Sequence, residues 1–118
     1  MTPHRANIIN LLNLIASEKD QLEYEARAPV NVASELVNQW FDDFYHPTDK
    51  TFKSEFSDQE LTLLGEFNAY YDARVAVLPD FLGEMLKTKA WREVMSFAGQ
   101  VLDELGWRGI EAYYDDIQ

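Results

Sequence analysis

The chain has 118 residues, 47% of them hydrophobic and 14% aromatic, with a formal net charge of −11 and no cysteine. Such a composition suits one domain with its own core, and it excludes disulfides, thiolate metal sites and cysteine nucleophiles. The 21 acidic residues outnumber the 10 lysines and arginines, and no basic segment offsets them. Direct binding to nucleic acid or to an anionic membrane is therefore disfavoured by repulsion, whereas a basic protein partner is favoured.

Two helices are predicted in the first part of the chain. Thr2-Pro3 has the pattern of an N-cap followed by proline at the first helical position, and apolar residues then recur at helical spacing until Pro29. A second helix is predicted from about residue 30 or 31 to Phe44, with Pro47 ending it. Residues 46–56 show no sustained period and are predicted to form a loop.

The third predicted helix has the clearest start in the sequence. Residues 57–60, Ser-Asp-Gln-Glu, form a capping box, in which Ser57 and Glu60 each satisfy the other's backbone amide. Phe56 and Leu61 occupy the two positions of a hydrophobic staple, and Leu64, Tyr71, Val75 and Leu78 continue the apolar face.

A short fourth helix is predicted over residues 79–87, and it carries Phe81, Leu82, Met85 and Leu86. The last helix is predicted to begin after an N-cap at Thr88 and to end at Gly106 in the left-handed conformation. The expected fold is all-α: a single domain over residues 1–118, with four to five helices around one aromatic-rich core. Residues 112–118 are a candidate tail.

No motif in the sequence indicates catalysis, a cofactor or a metal. Asp42 and His46 lie four residues apart and Asp49 follows, but Pro47 interrupts the helix and no recognised metal-binding spacing occurs. Nucleophile and phosphate-loop motifs are also missing. The sequence therefore predicts a protein that is not an enzyme, with no metal site and no cofactor.

Asn68 falls near the centre of the apolar arc formed by Leu64, Tyr71 and Val75. A buried amide is costly unless its donors and acceptors are matched. The favoured interpretation is a hydrogen bond to Tyr71 or to a neighbouring backbone carbonyl; the alternative is that the arc opens onto a ligand pocket.

Aromatic rings stand beside acids in three places: residues 38–50, residues 67–74 and residues 112–118. The helical projection assigns Trp40, Phe41 and Phe44 to the core and Asp42 to the solvated face. The residues left over combine tyrosines, which are frequent at binding hot spots, with charges complementary to lysine and arginine. They are the predicted partner-binding residues: Asp43, Tyr45, His46, Tyr70, Asp72, Tyr113, Tyr114, Asp115 and Asp116.

A small, acidic, cysteine-free protein with surplus tyrosine and aspartate resembles, over the whole chain, bacterial toxin-immunity proteins of the contact-dependent growth inhibition type. The resemblance implies a cytoplasmic protein that covers the active site, or an adjacent surface, of a basic nuclease toxin. Two alternatives stay open. One is a phage or plasmid protein that mimics nucleic acid with carboxylates at phosphate-like spacing. The other is a non-catalytic helical protein that self-associates, as a homodimer, through exposed aromatic rings.

Overall fold

A computed structural model describes residues 1–112. Within that range the chain is helical and contains no strand. Seven α-helices, more than the four to five expected, are joined by short connections and one π-helical segment. The elements are α1 Pro3–Ile15, α2 Glu18–Arg27, α3 Val32–Asn38, the π-helical segment Gln39–Phe44, α4 Lys50–Ser54, α5 Asp58–Val75, α6 Leu82–Met85 and α7 Lys89–Leu105.

The last helix, α7, lies at the centre of the fold. Both α1 and α5 pack against it, and its buried side chains follow the predicted helical spacing. The pairs Tyr70–Phe97 and Arg74–Glu93 show that α5 and α7 run antiparallel. A single aromatic-rich cluster of buried side chains extends from Ala6 of α1 to Ala112, which confirms one core.

The first predicted helix is divided in two, because Ser17 starts a new helix. Its hydroxyl accepts the Asp20 backbone N–H at 3.1 Å, as an N-cap does. The break resets the helical phase, so Gln21 is fully buried and Leu22 is exposed. The Gln21 amide donates to the carbonyls of Leu14 and Ile15, at 3.1 and 2.9 Å, and so satisfies the end of α1.

The second predicted helix begins after Asn31, as expected, but its last six residues are π-helical. The Tyr45 N–H bonds to the Trp40 carbonyl five residues back, at 3.2 Å. A wider turn changes which side chains share a face. Trp40 is fully buried, as predicted, whereas Phe41, Phe44 and Tyr45 are partly buried and pack against the core.

The predicted loop over residues 46–56 contains α4. Asp49 caps this helix by accepting the Phe52 N–H at 2.9 Å, and Phe52 is fully buried. An N-cap and one buried ring are enough to fold five residues against the core, although so short an apolar pattern has no visible period.

Three of the predicted helix ends are confirmed. The capping box of Ser57 and Glu60 is present with both of its hydrogen bonds. Thr88 accepts the Trp91 N–H at 3.1 Å. Gly106 is left-handed, with φ of 72°, and the Trp107 N–H reaches back to the Leu102 carbonyl.

The amino terminus of α1 is held by a distant carboxylate rather than by Thr2, whose side chain makes no capping bond. Glu55 accepts the backbone N–H groups of His4 and Arg5, at 2.9 and 3.2 Å. Both are free helix-terminal donors, and a carboxylate also complements the helix dipole there.

Arg5 joins α1 to the start of α5. Its guanidinium donates to both carboxylate oxygens of Glu60, each at 2.8 Å, and also to the Glu55 carbonyl at 3.1 Å. The same group lies 5.7 Å from the ring centroid of Phe56 and 5.2 Å from that of Trp107. We call these five residues the Arg5 corner.

The short helix predicted from Pro79 is reduced to α6, because residues 79–81 are not helical. Leu82, Met85 and Leu86 are buried, whereas Phe81 is 65% exposed. None of the helices in residues 1–112 combines the length and apolar character that crossing a bilayer requires.

Candidate functional site

The predicted binding residues at the end of the π-helical segment have different environments. Asp43 is exposed, but Tyr45 stacks on Trp40 with ring centroids 4.6 Å apart and 11° between the planes. Burial raises the pKa of the Tyr45 hydroxyl. His46 donates from Nε2 to the Asp43 carbonyl oxygen at 2.7 Å, and its ring meets Phe52 edge-on. Asp43 therefore remains available to a partner, whereas both rings already contact this chain.

The two histidines, His4 in the first predicted helix and His46 in the predicted loop, are neighbours in the fold. The ring centroids of His4 and His46 are 6.0 Å apart, and His4 Nε2 lies 3.9 Å from carboxylate oxygens of Asp49 and Glu55. Within residues 1–112, however, no three metal-ligating side chains are grouped so that they could hold an ion. This cluster joins α1 to the segment around α4.

Tyr70 and Asp72 also have different environments: the ring is packed within the chain and the carboxylate is exposed. The Arg74 guanidinium carbon lies 3.4 Å from the centroid of the Tyr70 ring, and Phe97 contacts that ring at 4.6 Å. Asp72 is exposed and forms no ion pair with the described residues. The Tyr70 ring is thus engaged within the chain, while the Asp72 carboxylate faces solvent.

The predicted binding residues Tyr113, Tyr114, Asp115 and Asp116 lie outside the described residues. Ala112, which precedes them, belongs to the core and is only 6% exposed. Its N–H and carbonyl each form a 2.8 Å hydrogen bond with the Asn10 side chain. A deletion that tests the tail should therefore begin after Ala112. The binding roles of all nine residues stay predictions.

Asn68 is paired, but with a partner other than the predicted Tyr71 or backbone carbonyl. The indole N–H of Trp40 donates to Asn68 Oδ1 at 3.0 Å. Tyr71, one turn away, is fully buried among Phe41, Phe67 and Trp91. Its hydroxyl has no hydrogen-bond partner among the described residues. Asn68 therefore serves to satisfy a buried indole.

An exposed apolar surface was missed by sequence reasoning. Val77 is 70% exposed, Phe81 65% and Val30 40%. Val77 and Phe81 belong to the connection between α5 and α6, and Val30 to the connection between α2 and α3. Sequence analysis placed Phe81 inside a helix over residues 79–87, but α6 begins only at Leu82, and Phe81 is the residue before it.

The two connections lie side by side, and a hydrogen bond links them. The Asn31 amide donates to the Asp80 carbonyl at 2.8 Å, while its oxygen caps α3 through the Ser34 N–H at 2.9 Å. We call residues 28–34 together with residues 77–82 the Phe81 surface. It lies at the end of the fold where α5 finishes and α7 begins.

Two clefts flank the link between Asn31 and Asp80. One, of about 370 Å³, runs between Val30 and Phe81, and the other, of about 220 Å³, runs between α3 and Leu78. Their charged lining residues are Glu25 in the first and Asp80 in the second; neither cleft has a lysine or arginine in its lining. Neither carboxylate forms an ion pair with another described residue, so the surface is apolar with an acidic border.

Comparison with protein-family models, with curated proteins and with solved structures gives no significant match. Any functional conclusion therefore depends on the residues and their arrangement.

Proposed function

We propose that this chain is an acidic protein-binding inhibitor, an immunity protein that neutralises a basic nuclease toxin in the cytoplasm. It acts by binding rather than by catalysis and covers the toxin's active site or an adjacent surface. The observation that carries the proposal is the excess of exposed carboxylates that have no cationic partner within residues 1–112.

Ion pairing occupies most of the arginines without changing the net charge. Four arginines are each paired within the chain: Arg5 with Glu60, Arg74 with Glu93, Arg92 with Glu18, and Arg108 with Asp103. Exposed acids such as Asp43, Asp72 and Asp80 have no such partner among the described residues. A field of this sign speeds encounter with a basic protein and weakens as salt screens it.

The experiment that tests this function uses the purified protein as bait in lysate of the native cell, at about 50 mM and about 500 mM salt. We expect a basic protein to be retained at low salt and released at high salt. Expressed alone, that protein should arrest growth, and co-expression of this chain should restore it. If the retained protein is acidic, or if co-expression fails to restore growth, the proposal is wrong.

The exposed apolar residues support a second candidate, the self-associating helical protein. Light scattering of the chain alone at two concentrations separates the two functions. A monomer at both concentrations favours the inhibitor, and a mass that doubles with concentration favours the homodimer.

A further inference from the structure

We propose that the Phe81 surface is the docking site for the basic partner, with Phe81 inserting into an apolar recess of that protein. This inference rests on the proposed function and specifies which surface carries it. It does not follow from the predicted binding residues, none of which lies in residues 28–34 or 77–82.

Three of the five large hydrophobic residues that are exposed within residues 1–112 lie in these two connections. Single exposed hydrophobic residues are ordinary on monomeric proteins, but a group of them within a polar border marks an interaction site. Val77 and Phe81 are the two most exposed large hydrophobic residues within residues 1–112, and they lie four positions apart in one connection. Val30 borders the same cleft as Phe81.

The backbone around Phe81 is also held in place before any partner arrives. Leu82, the next residue, is 1% exposed, and the Phe81 carbonyl accepts the Met85 N–H at 2.9 Å. The bond from Asn31 to the Asp80 carbonyl holds the preceding residue. A large ring on a fixed backbone loses little entropy on binding, and this favours its use as an anchor.

The charges around the surface decide which partner fits. A second copy bound about a twofold axis would bring the same patch of each copy together, and Glu25 and Asp80 would then face like charges. A basic protein would instead neutralise both carboxylates, which form no ion pair with another described residue. Arg27, Lys87 and Lys89 are close to the surface in the sequence, but none of them lines either cleft. The surface therefore favours a cationic partner over a homodimer.

The first part of the test locates the contact by photocrosslinking in native lysate. Phe81 is replaced by the photoreactive analogue p-benzoyl-phenylalanine, and a matched variant carries the analogue in place of Glu104. Glu104 is exposed near the other end of α7, 15 residues after the first residue of that helix. We expect position 81 to crosslink to a basic protein, less at high salt, and position 104 to give no such product.

The second part measures affinity for the crosslinked protein after its purification. Phe81→Ala should weaken binding about 30-fold, as loss of an interface anchor does. Asp80→Asn should weaken it about threefold at low salt, and less at high salt. The controls are Glu104→Gln, for a charge elsewhere, and Ile110→Ala, for an exposed apolar residue next to the predicted tail. Both should change the affinity less than twofold.

The outcomes separate the docking site from the function. If the basic protein binds and protects growth, but Phe81→Ala binds as well as the wild type, the docking site is wrong and the function stands. An effect of Ile110→Ala without one of Phe81→Ala would move the site to the tail. A crosslink from position 81 to a second copy of the chain would replace the basic partner by a homodimer. If no basic protein is retained at all, the function and the docking site both fail.

Discussion

The Arg5 corner and the Phe81 surface both place aromatic rings beside carboxylates, yet they are opposite kinds of structure. In the corner, one guanidinium pairs with Glu60 and covers two rings, and the Glu60 side chain is only 13% exposed. At the Phe81 surface the ring is 65% exposed, and no lysine or arginine of residues 1–112 lines either flanking cleft. The presence of aromatic rings beside carboxylates is therefore a poor guide to binding. Whether those groups already have partners within the chain is a better one.

The difference also affects what each region contributes. Charged and aromatic groups that find partners inside the chain stabilise the fold, because their desolvation is repaid by hydrogen bonds. Groups left without partners contribute little to folding and remain available to another molecule. The corner should consequently respond to mutation in stability, and the Phe81 surface in binding.

The largest expected effect on stability comes from Arg5→Met. This change removes both hydrogen bonds to Glu60 and leaves a largely buried carboxylate without its cation. We expect the free energy of unfolding to fall by about 2 to 3 kcal/mol. Urea denaturation measures the loss as a lower midpoint at unchanged slope.

Two variants serve as controls for that measurement. Arg27→Met alters an exposed arginine whose side chain makes one 3.3 Å bond to the Glu23 carbonyl, and Phe81→Ala alters the exposed ring. Each should change the free energy of unfolding by no more than about 0.5 kcal/mol. A loss from Phe81→Ala as large as that from Arg5→Met would remove the distinction between the two regions.

The importance of pairing can be tested in the core with Asn68→Leu. Leucine is more hydrophobic, but it leaves the indole N–H of the fully buried Trp40 without its acceptor. We expect a loss of about 2 kcal/mol in the free energy of unfolding. Gln100→Leu, at an exposed position of α7, is the matched control and should be nearly neutral. An Asn68→Leu protein as stable as the wild type would show that burial alone decides stability here.

The pH dependence of the Arg5 corner gives a smaller effect of known sign. The Arg5 guanidinium, through its hydrogen bonds, lowers the pKa of Glu60 below the ordinary value of 4.5. A lowered pKa in the folded state means that the charged pair stabilises the protein above pH 4.5. The contribution is lost as the pH falls through the pKa of the folded state.

Glu60→Gln should therefore cost about 1 kcal/mol near neutral pH, and the difference from wild type should shrink progressively below pH 4.5. Urea denaturation across an acidic pH series measures this difference in the free energy of unfolding. Glu66→Gln, at an exposed position without an ion pair in the described part of the chain, should follow the wild-type curve. A constant difference at every pH would mean that the charge of Glu60 plays no part.

The smallest expected effect is a gain. The buried Tyr71 hydroxyl lacks a partner among the described residues, and burial raises its pKa. Tyr71→Phe removes a desolvated group and keeps the ring, so we expect the free energy of unfolding to rise by up to about 1 kcal/mol. Thermal unfolding measures the shift. A clear loss of stability would show that the hydroxyl has a bonding partner in solution.

The predicted binding residues show how far sequence reasoning reaches at a surface. Helical projection separated Trp40 from Asp42 correctly, although both lie in the π-helical segment, because residues two positions apart point in widely different directions on either kind of helix. It left Tyr45 and Tyr70 as free rings, although both pack on other helices, since a projection of one helix contains no neighbours. It also included Phe81 in a helix beginning at Pro79, whereas α6 begins only at Leu82.

Local chemistry in the sequence determined the all-helical class, the capping box at Ser57, the cap at Thr88 and the left-handed Gly106. Each of these depends on residues a few positions apart. The tertiary structure alone decided that Glu55 caps α1, that Arg5 closes its corner and that Phe81 stays outside. Those outcomes depend on residues that are far apart in the chain. A hydrogen bond or a contact forms only when packing of the helices brings the atoms together, and the sequence pattern does not show that packing.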